Sequence, residues 1–404
     1  MVFTLRVPKQ PDGDIPPVDG SLPATALASL PEQKFGLYLH VPFCTKRCGY
    51  CDFNTYTATE LGGFSAADWP RFVIQELELA NRVLGGLPTI ETIFIGGGTP
   101  SLIAPDQYQQ IFAQIKKHFS PNIEITLEAN PDSVTTESLS GYFDLGINRI
   151  SFGMQSAAKN VLAVLDRTHN PANVESAVLA ANAIGFQNLS LDLIYGTPGE
   201  TDQDWVASLE LALQLPINHL SAYSLIVESG TKLASLVKRS EIPMPDDDIA
   251  AKRYLIAEEF LASKGFDWYE ISNWGKAGAA CKHNQLYWQS ANWWGIGPGA
   301  HSHIGAVRWW NEKYPATWAA ALAKGDSPAA GREQLSADQR LAELVMLRLR
   351  ERSGLPLELL PDPDAAQQLL TAGWVEPAAL ADGQIVLNVA GRLMADRAAM
   401  LLLK

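Results

Sequence analysis

The feature that most constrains this chain is an alternation. Six short apolar runs, at 36–42, 92–98, 123–130, 147–153, 189–196 and 219–225, recur between longer amphipathic stretches. All but the last of these runs end in Gly, Asn or Pro. The intervening segments, at 69–84, 106–118, 135–145, 172–184 and 202–213, repeat their apolar residues at helical period. Strands that alternate with helices imply parallel βαβ units, and hence an α/β fold built as a barrel or an open sheet. In such folds the working side chains stand at the C-terminal ends of the strands. The unusual residues of this chain fall there. The cysteines follow the first run, Gly96–Gly98 follow the second, Glu128 ends the third, Gln155 follows the fourth and Asp192 lies in the fifth.

Around this centre the chain divides into four expected parts. Residues 1–34 carry Pro8, Pro11, Pro16, Pro17, Pro23 and Pro31 and read as a flexible leader, with order beginning at Phe35. Residues 35–265 form the barrel, ending in a helix over 249–264. Residues 266–326 open with a strand over 266–272 and are rich in Trp and His. Residues 327–404 start with a linker at 327–333 and continue as a small helical, winged-helix-like module.

There are four cysteines, and three of them lie together as Cys44-x3-Cys48-x2-Cys51. Four in 404 residues is no disulfide framework, and clustering reads first as metal binding. Thiolates favour zinc and iron–sulfur clusters. A closed zinc site needs a fourth ligand, for which His40 is the candidate. The alternative is a four-iron cluster held by three thiolates, with one iron left open. The run FIGGGTPS (94–101) lets backbone approach a ligand closely. It has neither the GxGxxG spacing of a dinucleotide site nor the Lys of a phosphate loop.

CxxxCxxC after a first barrel strand resembles the radical S-adenosylmethionine (SAM) superfamily. That resemblance implies a partial (β/α)6, TIM-like barrel, a [4Fe-4S] cluster on Cys44, Cys48 and Cys51, and SAM chelated to the open iron. It also implies that a reduced cluster cleaves SAM to a 5′-deoxyadenosyl radical, and so a reductant protein. Further positions resemble the SAM contacts of the porphyrin-related branch: Tyr38, Tyr50, Gly97, Gly98, Thr99, Glu128, Gln155, Arg167 and Asp192, with Ile226 and His301 as looser matches.

Two groups of that branch are similar to this chain over roughly 35–400. One is the oxygen-independent coproporphyrinogen III dehydrogenase and the other a group of heme chaperones. The dehydrogenase carries a further cysteine two residues beyond the third, where this chain has Phe53. The segment CKHNQLYW (281–288) matches the HNxxYW motif of the chaperone group, and GIGPGAHSH (295–303) resembles its version of that loop. The implied function is heme binding and transfer to acceptor hemoproteins, with dehydrogenase activity and a zinc-stabilised interaction protein as alternatives. His283 offers an imidazole to heme iron, with Asn284, Tyr287 and Trp288 beside it. Cys281, His301 and His303 are rival ligands. Eight of the 11 tryptophans lie between Trp268 and Trp318, which suits an apolar pocket or a core.

A net charge of −13 disfavours nucleic acid as a partner. No secretory signal and no run of about 18 apolar residues is present, so the expectation is a soluble, cytoplasmic protein. A homodimer is an open option.

Overall fold

The computed structural model describes residues 13–403 apart from Gly62, Thr168 and His169. Twelve strands form one sheet. In chain order they are β1 (Phe35–Val41), β2 (Ile90–Gly97), β3 (Phe119–Ala129), β4 (Arg149–Gln155), β5 (Asn188–Tyr195), β6 (His219–Ser224), β7 (Asp267–Glu270), β8 (Asn273–Gly275), β9 (Asn292–Ile296), β10 (His301–Ile304), β11 (Val307–Asn311) and β12 (Ala329–Gln334). The spatial order is β12-β11-β10-β9-β1-β2-β3-β4-β5-β6-β8-β7, so the sheet is open. Strands β1 to β6 follow one another in parallel, as the six apolar runs predict. Strand β9 adds a parallel neighbour on the free side of β1.

Strand alternation divides these six strands into two faces. One face carries Leu37, Leu39, Val41, Ile93, Ile95, Leu127, Ile150, Phe152, Leu191 and Leu220, all buried in the main core. The crossover helices, among them Trp69–Val83 and Asp202–Gln214, cover that face. Burying each such side chain contributes about 1.5–3 kcal/mol. The other face carries Tyr38, His40, Glu124, Glu128, Arg149, Ser151, Ser190, Asp192, His219 and Ser221. A closed eight-stranded barrel fills this space with branched aliphatic residues. Here the lumen is polar, a chamber lined by hydrogen-bonding groups.

Three expectations about organisation are corrected. Residues 1–12 lie outside the described residues, but 13–34 are no loose leader. Asp14 exchanges backbone hydrogen bonds of 2.7 and 3.0 Å with Arg332 on edge strand β12. A short helix, Ala24–Leu27, follows, and Ala26, with Leu22, Leu27 and Leu30, packs into the main core. Proline density concealed this apolar spacing. The expected linker at 327–333 is largely strand β12, paired antiparallel with β11. The Trp- and His-rich segment is no separate unit, because it supplies β7 to β11. Trp274, Trp294, Trp309, Trp310 and Trp318 are all buried, which explains much of the tryptophan excess as packing.

The C-terminal residues have a core of their own, built on Val345, Leu349, Leu369, Ile385, Leu387 and Ala398. Two short strands, β13 (Leu355–Pro356) and β14 (Gln384–Ile385), pair within it. Arg392 ties it to the barrel, stacking 4.2 Å over Trp268 and pairing with Glu258 at 2.6 Å. No helix among the described residues is long and apolar enough to cross a membrane.

Candidate cofactor site at the barrel mouth

The loop after β1 carries Cys44, Cys48 and Cys51, all three half-buried and free of disulfides. Burial pushes the Cys44 thiol up, and lifts Cys51 to about 11, so both are protonated until a metal binds the sulfur and the proton is released. The loop is held from several sides. The Cys44 N–H donates to the Tyr56 carbonyl at 3.0 Å, and the Thr99 hydroxyl points at Cys44 Sγ at 3.7 Å. Arg167 reaches Cys48 Sγ through Nη1 at 3.5 Å and the Gly153 carbonyl through Nη2 at 2.9 Å.

The glycine run faces this loop from the end of β2. A Cβ on Gly98 would lie 2.5 Å from the Phe43 carbonyl oxygen and 3.0 Å from Cys44 Sγ. Gly97 has φ +111, and a Cβ there would strike the His40 ring at 2.7 Å. Only glycine fits either position. The Gly97 N–H donates to Glu128 at 3.1 Å, which brings β3 into the same site.

Glu128 and Asp192 are half-buried facing the chamber, and Ser151 donates to Asp192 at 2.8 Å. Burial, and then repulsion from Asp192, push the Glu128 carboxyl up to about 8. Burial raises Asp192 as well. The sign of the pH effect follows. Between the ordinary carboxylate range and about pH 8 the folded chain holds a proton on Glu128 that the unfolded chain has released. Stability from this group is complete at acid pH and is lost as pH rises through about 8. Glu128→Gln should therefore flatten the decline in melting temperature of the metal-free protein between about pH 5 and about pH 9. Equal declines in the two proteins would show that Glu128 does not contribute.

Tyr50 packs against the apolar group of Val161, Leu165, Ile194, Leu225 and Leu233 beside the cysteine loop. Ile226, next to Leu225, is 61% exposed and Phe53 is 62% exposed. Gln155 adopts φ 63, a strained conformation for a residue with a side chain, and its amide lies against Gly153 beside Arg167. The mouth thus assembles Tyr38, Tyr50, Gly97, Gly98, Thr99, Glu128, Gln155, Arg167 and Asp192 from five strands and their loops.

The alternative of a closed zinc site with His40 as fourth ligand does not hold. His40 Nε2 donates to the Asn54 carbonyl at 2.9 Å, and Nδ1 accepts from the Tyr38 hydroxyl at 3.0 Å. Both nitrogens are engaged. Among the described residues no three His, Cys, Asp or Glu side chains converge on a point where one metal ion could sit. A cluster of several irons places a different iron on each thiolate, and three spread thiols suit that. Arg167 Nε, buried and without a hydrogen-bond partner among the described residues, adds an unused donor beside them. The donor set and the glycine cradle fit an anionic cluster and a chelating ligand.

The expectation that His283 faces a heme is also corrected. His283 lies at the opposite end of the chamber, on the short helix Lys282–Trp288, and is fully buried. Its Nδ1 meets the Thr92 hydroxyl at 2.7 Å and its Nε2 the Tyr287 hydroxyl at 2.8 Å. Burial holds the ring down to about 3, so it is neutral with no nitrogen spare. Cys281 is buried with its thiol 3.4 Å from Glu124. His303 is buried with Nδ1 on the Ala291 carbonyl at 3.2 Å. Asn284, Tyr287 and Trp288 are half-buried. Of the histidines singled out, His301 is the exposed one, at the start of β10.

Asn54 was missed in the sequence. Its amide donates to the carbonyls of Pro298 at 3.0 Å and Lys313 at 2.8 Å, which ties the cysteine loop to the GIGPG loop. A lone Asn in a loop carries no signal of that kind. Glu76 is similar. Buried under the same loop, it accepts from Gly297 N–H and Trp318 Nε1, each at 2.8 Å, and from Asn311.

The chain matches the radical SAM superfamily model over residues 38–212. The heme chaperone HemW of Mycobacterium tuberculosis is 47% identical to it over 374 residues, covering 92% of this chain and 95% of that protein. The heme chaperone HemW of Bacillus subtilis is 33% identical over 321 residues, covering 79% and 84%. Among solved structures, coproporphyrinogen III oxidase (HemN) from Escherichia coli superposes with a TM-score of 0.76 at 21% identity, covering 93% of this chain and 92% of that one. That likeness is one of fold.

Proposed function

Because this chain belongs to the HemW heme-chaperone family of the radical SAM superfamily, we propose that it binds heme and passes it to acceptor hemoproteins. The observation that carries this reading is the match to a heme chaperone along 95% of that protein's length, C-terminal module included. Phe53, where the related dehydrogenase has a cysteine, favours it too.

The superfamily implies a [4Fe-4S] cluster and SAM. Cys44, Cys48 and Cys51 would hold the cluster, and Tyr38, Tyr50, Gly97, Gly98, Thr99, Glu128, Gln155, Arg167, Asp192, Ile226 and His301 would line the place of SAM. When bound, the cluster supplies an electron and an open coordination position for the methionyl group of SAM. The residues of the chain do the rest. Gly97 and Gly98 keep the β2 end bare so that a ligand can approach the backbone. Arg167 offsets the negative charge of the thiolates. Glu128 and Asp192 present acceptors to hydroxyl groups. A reductant protein for the cluster belongs to this reading.

For heme, His301 is the exposed imidazole among the histidines that the motifs single out. Partial shielding of its ring, with Lys313 and Arg308 nearby, holds its pKa below the usual value, so it is neutral near pH 7, the form of imidazole that ligates iron. Heme titrated into the reconstituted protein should give a saturable Soret shift, and no shift would end the chaperone reading. His301→Ala should weaken heme binding about tenfold, ~1.4 kcal/mol, with the visible absorbance of the cluster retained. Unchanged affinity would move the axial ligand away from the mouth. Anaerobic incubation with coproporphyrinogen III, SAM and a reductant should give no protoporphyrinogen. Its appearance would replace the chaperone with the dehydrogenase.

A further inference from the structure

The HNQLYW motif has no part in the mouth, yet a continuous column of side chains joins it to the glycine run. The His283 ring stacks on Phe94 with centroids 5.3 Å apart and planes 29° apart. Phe94 stacks in turn on Tyr38, at 6.3 Å and 25°. Tyr38 lies directly under Gly96, where a Cβ would be 3.2 Å from its ring and 2.9 Å from the Glu128 carboxylate. Phe94 and its cross-strand partner Tyr38 thus stand side by side under Gly96, where a Cβ would be 3.0 Å from the Phe94 ring, and with His283 stacked on Phe94 these rings join the floor of the chamber to its mouth.

Hydrogen bonds brace the stack at both ends. At the floor, Thr92 and Tyr287 grip the two nitrogens of His283. At the top, the Tyr38 hydroxyl bonds His40 Nδ1. A carbonyl cannot donate, so the proton on His40 Nε2 goes to Asn54 and Nδ1 must accept from Tyr38. Asn54 stands three residues after Cys51, so the brace ends on the cysteine loop. From below, Gln285 of the same short helix and Gln289, its C-cap, reach Glu351 of the C-terminal module at 3.4 and 2.8 Å. The module thus backs the helix that carries His283.

We propose that His283 is a positioning residue for the cofactor site, the base on which Phe94, Tyr38 and the glycine run stand, and not an iron ligand. This rests on the reading of the mouth as the site of SAM. Close-packed interiors transmit small displacements. Removing the imidazole leaves a void beneath Phe94 and two buried hydroxyls, on Thr92 and Tyr287, without their partner. Tyr38 can then settle, and the register between the glycine run and the cysteine loop loosens.

The test uses the full chain with its cluster reconstituted. S-adenosylhomocysteine serves as an uncleavable probe in calorimetric titration, and heme is titrated separately. His283→Ala should bind the probe about tenfold more weakly, the scale of losses on removing groups that orient ligand-bearing residues. The triple variant Thr92→Val, His283→Phe, Tyr287→Phe keeps a ring in the stack, has no nitrogen for iron and leaves no hydroxyl stranded. It should bind both the probe and heme within about twofold of the wild type. Wild-type affinity for the probe in His283→Ala would overturn the proposal. So would a triple variant that binds the probe no better than His283→Ala, or one that no longer binds heme. If His283→Ala fails to fold, the triple variant alone decides, on the same two titrations. Failure of the wild type to bind the probe at all would instead remove the reading of the mouth, and the proposal with it.

Discussion

Cys48→Ala should abolish the visible absorbance of the anaerobically reconstituted protein and leave its melting temperature nearly unchanged. Three thiols are one fewer than a closed four-ligand site, so the loop has no spare ligand to lose. His40, the alternative donor on β1, has both nitrogens committed, to Tyr38 and to Asn54. Cys281 is buried at the other end of the chamber and cannot substitute. The fold should tolerate the change because Cys48 is half-buried on a loop and, among the described residues, its sulfur hydrogen-bonds the Arg167 guanidinium, which keeps its bond to Gly153. Substitutions of that kind usually stay within about 0.5 kcal/mol. Iron and sulfide analysis alongside the spectrum provides the check. Undiminished iron and absorbance in the variant would show that Cys48 is not a ligand.

Glu124→Ala should cost about 3–5 kcal/mol of stability, the range for breaking a buried ion pair from one side. Glu124 and Arg149 are both buried, on neighbouring strands, and bond at 3.1 Å. The second carboxylate oxygen accepts the His283 N–H at 3.1 Å, which anchors the first turn of the helix Lys282–Trp288. Arg149 also donates to the carbonyls of Ala279 and Ala280 at 2.9 and 3.2 Å. Removing the carboxylate leaves a guanidinium buried without its counter-charge and unties the helix at the floor of the chamber. Replacing both partners, Glu124→Leu with Arg149→Met, removes the uncompensated charge and should recover much of the loss. Chemical denaturation of the three variants against the wild type measures both effects. A loss below about 1 kcal/mol for Glu124→Ala would show that the floor is held by other contacts.

Much of the fold was legible in the sequence because its signal is local. Each of β1 to β6 is a run of apolar residues that alternate with polar ones, and each crossover helix repeats its apolar face. Those periods depend only on residues a few positions apart. The cysteine loop was legible for the same reason, since three thiols within eight residues must lie together in any fold. The glycine run could be placed because it follows a strand. Less could be read wherever a segment relies on a distant partner. The stretch 13–34 looks unstructured until Asp14 meets Arg332 and Leu27 and Leu30 meet the core. The stretch 327–333 looks like a linker until β11 pairs with it.

The motif His283 to Trp288 marks the boundary between the two kinds of information. The i, i+4 spacing of His283 and Tyr287 places them on one helix face, and that much is a property of the sequence. It cannot say whether the face meets solvent, a heme or the inside of a barrel. The sequence by itself determined six βα units, a thiol loop at one strand end and a glycine run beside it. Only the tertiary structure decided that the lumen is polar, that His40 is spent on Asn54, and that His283 is closed in. The physical reason is that a lone pair is available only if nothing else has taken it. What engages the His283 nitrogens includes the hydroxyl of Thr92, 191 residues away in the chain.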